Sequence, residues 1–124
     1  MICQTLEFQY SQNCEINLSG LIVPKTGFSF KELFSSERIV FEQKTSTENG
    51  NKVYNQTLTI INKIDLETIK QLSNSHLIVK LQKIDGSTFI WGSLAPYNPV
   101  LVEILKEDDV SEIQFYRKNF EPEY

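Results

Sequence analysis

Residue chemistry is scarce in this chain. Its 124 residues include one histidine, His76, and two cysteines, Cys3 and Cys14. General acid–base catalysis needs a titratable group with an oriented partner, and a lone imidazole at the start of a strand has none in view. The cysteines lack Cys-x-x-Cys spacing and there is no second histidine, a pattern that argues against zinc. Gly86 and Gly92 fall in a hairpin rather than at a strand-to-helix turn, so no glycine-rich phosphate loop is present. The expectation is a non-enzymatic protein without metal or cofactor. No apolar run approaches the ~20 residues that span a bilayer. The N-terminus, Met1-Ile2-Cys3-Gln4-Thr5-Leu6-Glu7, has no basic region ahead of an apolar one, as a signal peptide would. The chain is thus expected to stay in the reducing compartment where it is made, with no membrane partner. Cys3 and Cys14, in neighbouring candidate strands, are expected to be free thiols.

A basic face is missing as well. The net charge is −4, and residues 1–98 carry nine basic and nine acidic side chains, against three and seven in residues 99–124. Such a chain gains little from releasing phosphate counterions, so specific nucleic-acid binding is not expected.

What the chain does have is alternation around tight turns. Apolar content of 40% and charged content of 23% are those of an ordinary globular protein. Ile2, Gln4, Leu6, Phe8 and Tyr10 share one face of a first strand, and Ile16 to Val23 reads as its return after a turn at Ser11-Gln12-Asn13. Asn49-Gly50 predicts a two-residue hairpin, because both residues tolerate the positive φ that such turns require. Its register sets Phe41 opposite Leu58, Ile39 opposite Ile60 and Thr45 opposite Tyr54, with Glu42 opposite Thr57 on the reverse face. A two-residue turn at Asp85-Gly86 sets Leu81 opposite Ile90, Val79 opposite Gly92 and Lys80 opposite Trp91. A third hairpin around Asp108-Asp109 sets Ile104 opposite Ile113, Val102 opposite Phe115 and Leu105 opposite Glu112. Between the first two hairpins the spacing predicts a short α-helix over 66–73. Asp65 would cap it, Ile64 and Ile69 would staple it, and Asn74 would end it in a left-handed conformation. The sum is a mainly β protein: an antiparallel β-sandwich or barrel of about eight strands with one short helix. Residues 1–118 form a single domain with a loop or arm over 24–36, and 119–124 form a C-terminal tail.

Two groups of side chains are surplus to that plan. In the expected register Phe89 and Trp91 lie opposite the main apolar face, and Phe28, Phe30 and Phe34 crowd one connection. Aromatic residues are enriched at interface cores, so these five are the candidate subunit interface. Glu107, Asp108 and Asp109 crowd the tip of the last hairpin, and the plain reading is a solvated turn.

The order of motifs resembles a family of small virion structural proteins encoded by tailed phages and prophages of gut Bacteroidetes. The similar stretches are Phe41-Glu42-Gln43 with Tyr54-Asn55-Gln56-Thr57-Leu58, the helix after Asp65, the run from Leu77 to Ser93, and Ile113-Gln114-Phe115-Tyr116-Arg117-Lys118. The resemblance implies a neck or tail component that assembles as a homo-oligomeric ring with other tail proteins around the ejection channel. It would be made in the bacterial cytoplasm and end in the virion. The acidic tip, Glu107, Asp108 and Asp109, would then face the channel, where DNA passes without sticking. The alternative expectation is a soluble binding module, an adaptor or host-directed inhibitor acting as a monomer or dimer.

Overall fold

The computed structural model describes residues 1–63, 66–94, 98–106 and 111–120. Its elements are β1 (Ile2–Tyr10), a 3-10 turn (Ser11–Asn13), β2 (Cys14–Ile16), β3 (Ile22–Pro24), β4 (Lys31–Leu33), β5 (Ile39–Glu48), β6 (Asn51–Asn62), α1 (Leu66–Ser73), β7 (Leu77–Lys83), β8 (Thr88–Trp91), β9 (Leu101–Lys106) and β10 (Ser111–Asn119). The protein is mainly β and antiparallel, with one short helix among the described residues.

The β5–β6 hairpin forms in the predicted register, from Val40 opposite Thr59 to Glu48 opposite Asn51. Asn49 and Gly50 adopt φ of 50° and 80°, the left-handed pair that matches the twist of the flanking strands. β10 adds to the far edge of β6, and β9 to β10, so that Phe41, Leu58, Phe115 and Val102 lie side by side across four strands. The full order is β8-β7-β1-β5-β6-β10-β9, with β4 also on β1. This sheet curls until Val100, just before β9, bridges back to Leu77 at the start of β7. Gly92 makes that approach possible. Its φ is +126°, and a Cβ there would sit 2.9 Å from the Leu77 carbonyl oxygen. Ile69 and Leu72 of α1 join the core inside the curl, and the helix lies against β9.

Several sequence expectations need correction. The Asp85-Gly86 turn has three residues, 84–86, with Gly86 at φ +90° and Lys83 N–H bonded to Ser87 O at 2.8 Å. That single extra residue sets Val79 opposite Trp91 and Leu81 opposite Phe89. A one-residue slip moves every side chain to the other face, so Phe89 and Trp91 point into the core. In β1 a bulge between Cys3 and Thr5 leaves Gln4 exposed and turns Cys3 inward beside Leu6 and Phe8. A smaller irregularity sets Glu112 opposite Lys106 rather than Leu105. The stretch expected as one strand, 16–23, is a hairpin of β2 and β3 instead. Part of the 24–36 loop is a strand, β4, with Leu33 opposite Leu6. Asn74 is not left-handed. The end of α1 is capped by side chains: Ser73 Oγ bonds to Ile69 O at 2.9 Å, Asn74 Nδ2 to Lys70 O at 3.0 Å, and Ser75 Oγ to Gln71 O at 2.7 Å. Ile64 and Asp65, the expected staple and cap, lie outside the described residues.

Candidate functional site

The five aromatic residues expected at an interface divide three ways. Trp91 is fully buried. Its ring meets Phe41 edge-on at 5.0 Å, and its Nε1–H donates to Gln56 Oε1 at 2.8 Å. Gln56 is itself fully buried and donates from Nε2 to Gln43 Oε1 at 3.0 Å. This is a satisfied core network, and it removes Trp91 from any interface. Phe89 and Phe30 are half-buried. Phe89 packs edge-on against Phe41 at 5.7 Å, with Lys83 Nζ 5.4 Å from its centroid, and Lys80 Nζ lies 5.8 Å from the Phe30 ring. Phe28 and Phe34 are exposed. Glu107, Asp108 and Asp109 lie outside the described residues.

The larger apolar surface lies where the sequence reading placed an ordinary return strand. β2 and β3 form a separate two-stranded arm off the main sheet, pairing Cys14 with Pro24 and Ile16 with Ile22. Asn17 builds its tip: its Oδ1 accepts from Ser19 N at 2.9 Å and Leu21 N at 3.0 Å, and its carbonyl accepts from Gly20 N, which has φ +81°. Leu18 stands at that tip fully exposed, and Ile16 and Leu21 are 62% and 60% exposed. The available signal was the Asn17…Gly20 spacing between aliphatic residues, a turn pattern that a single long strand cannot hold.

The root of the arm is firmly held. Cys14 is buried, and Lys25 N–H bonds to Asn13 O at 2.8 Å. Gln9, 2% exposed, donates to Ser29 O at 2.8 Å and accepts from Asn13 Nδ2 at 3.2 Å and from Tyr10 N at 2.9 Å. The outer face of β1 is thereby stitched to the 14–30 segment. Between the arm and β8 lies a groove of about 540 Å³, whose lining includes Leu21, Ile22, Val23, Phe30, Phe89 and Ile90.

Two ion pairs lie at the surface of the described chain. Lys118 Nζ meets Glu48 Oε1 at 2.7 Å in the open, and Lys80 lies 3.9 Å from Glu7. Both cysteines are free. Burial pushes their thiols up, opposed at Cys3 by the N-terminal amine and Lys83 and at Cys14 by Lys25, so both remain protonated near neutrality. His76 is exposed, and among the described residues no three His, Cys, Asp or Glu side chains converge as a metal would need. No described helix is long and apolar enough to cross a membrane. Comparison with protein-family models, with curated proteins and with solved structures finds no match to the chain.

Proposed function

We propose that this chain is a non-catalytic assembly subunit that joins other copies of itself through the β2–β3 arm. The observation that carries the reading is the exposure of Ile16, Leu18 and Leu21 on that arm, with Phe28 and Phe34 on the segment that follows. The barrel-like sheet has a full core of its own in Leu6, Phe41, Leu58, Trp91 and Phe115. Those side chains stand largely outside that core; the fully exposed Leu18 would gain roughly 1.5–3 kcal/mol on burial elsewhere, and the partly covered Ile16, Leu21, Phe28 and Phe34 less. Apolar surface concentrated on one segment marks a partner site. The resemblance to small phage virion proteins supports a ring-forming neck or tail component as the setting. A second reading, a binding module that acts as a monomer or dimer, draws on the apolar groove between arm and β8.

The test is the mass of the protein in solution over a range of concentrations, followed by negative-stain microscopy. The expected result is a concentration-dependent oligomer, reduced to monomer by Leu18→Asp with Leu21→Asp at an unchanged melting temperature. A monomer at every concentration, identical for wild type and variant, overturns the assembly reading.

A further inference from the structure

Two neighbouring hollows adjoin as one cleft at one end of the curled sheet, between the 3-10 turn and the C-terminal end of α1. They share Tyr10, Gln12, Asn74 and Ser75, and the larger holds about 560 Å³. That volume is within the range of small-ligand sites. Around it stand four primary amides, Gln12, Asn13, Gln71 and Asn74, with the Tyr10 ring and Lys70. Among the described residues, no carboxylate lines either hollow.

The walls are set before any ligand arrives. Ser11 N–H donates to His76 O at 3.0 Å and ties one wall to the other. Asn13 is anchored on the buried Gln9, and Asn74 on the carbonyl of Lys70. Phe8 meets the Tyr10 ring edge-on at 5.8 Å and fixes its plane. Both anchoring bonds use the amide nitrogens of Asn13 and Asn74, which leaves each Oδ1 as an acceptor. Gln12 is exposed, and among the described residues its side chain makes no hydrogen bond. The Tyr10 hydroxyl reaches Gln71 Oε1 at 3.5 Å, a weak contact that a ligand could replace.

Charge narrows the ligand. A cation finds no carboxylate among the described lining residues. An anion finds Lys70, but it also finds the negative end of the α1 dipole. A neutral molecule rich in hydroxyls fits both constraints. Each hydroxyl donates and accepts, as each amide does, and adjacent hydroxyls pair with the oxygen and nitrogen of one amide. An aromatic ring supplies an apolar platform for the C–H face of such a molecule. We propose that this cleft binds a neutral saccharide, with Tyr10 as the platform and the Gln12, Asn13, Gln71 and Asn74 amides as the hydroxyl-binding groups. This site is separate from the exposed face of the arm and does not depend on the assembly reading.

The experiment is saturation-transfer NMR on the full chain with lactose, maltose, cellobiose and chitobiose as neutral probes. Sialyllactose and inorganic phosphate serve as anionic controls. Transfer to at least one neutral disaccharide is expected, with affinity lowered about five- to tenfold by Gln12→Ala, which removes one side-chain hydrogen-bond set. Tyr10→Ala should abolish it and Tyr10→Phe should retain it. Gln12 is exposed, so Gln12→Ala should leave the melting temperature unchanged and its effect is readable even if Tyr10→Ala fails to fold. Absence of transfer to every neutral probe overturns the proposal. So does binding confined to the anions, or neutral binding that Gln12→Ala leaves intact.

Discussion

Trp91 shows how one polar atom fixes a core side chain. Its indole N–H is the donor for a fully buried glutamine oxygen, and Gln56 passes the chain of bonds to Gln43. Replacing Trp91 with Phe keeps a ring against Phe41 but leaves Gln56 Oε1 without this donor. The expected cost is about 1–3 kcal/mol for the unsatisfied group, with a further loss from the smaller ring. Urea unfolding followed by circular dichroism measures it, and a cost near zero would mean that the network does not hold the indole. Trp91 is the sole tryptophan, so indole fluorescence in the wild type reports on the surroundings of this one ring. Nothing in the local sequence distinguishes this tryptophan from a surface one. Its direction depends on the length of the 84–86 turn, and its acceptor lies 35 residues away.

Among the elements, the β5–β6 hairpin was legible in full, because its turn residues and both faces of its strands point to one register. The β7–β8 hairpin was not. Asp85-Gly86 is compatible with a two-residue turn or with a longer one that has Gly86 as its left-handed residue, and both fill the Leu77–Leu81 face with apolar partners. The three-residue form wins because it buries Phe89 and Trp91 against Phe41. Asp85 supports it by accepting from Ser87 N at 2.9 Å and Ser87 Oγ at 2.6 Å, bonds that hold its carboxyl below the ordinary value. After β8 the strand line breaks at Gly92, where Leu77 meets Val100. Gly92→Ala would place a methyl group 2.9 Å from the Leu77 carbonyl oxygen in a conformation that side chains avoid. The expected loss is roughly 1–3 kcal/mol, read as a lowered melting temperature. Gly86→Ala, with open space around it, should cost less, from φ alone. Equal losses for the two would show that the Leu77 contact is not what excludes a side chain at Gly92.

For the molecule as a whole, two buried thiols, one inside the curled sheet and one at the root of the arm, set its expected response to alkali. Cys3 and Cys14 are buried and hold their protons above the ordinary thiol value of ~8.5. Above that value the folded state binds more protons than the unfolded state. Stability is therefore fully present below the ordinary value and falls as pH rises through the raised folded values. Urea unfolding over an alkaline pH series should show this decline, and Cys3→Ala with Cys14→Ala should flatten it. Burial raises Tyr10 as well, which leaves a residual slope at higher pH. An unchanged slope in the double variant would assign the decline to other groups. The candidate site was less legible than the fold. The sequence drew attention to aromatic side chains, whereas the exposed apolar surface of the arm is mainly aliphatic and sits on a short hairpin. By itself the sequence determined the class, the long hairpin and the 66–73 helix, because turn chemistry and apolar periodicity act within a few residues. Tertiary structure decided which rings are internal, where the sheet closes and that residues 14–24 stand off as an arm. Those outcomes depend on which distant surfaces pack together, and local patterning is compatible with more than one answer.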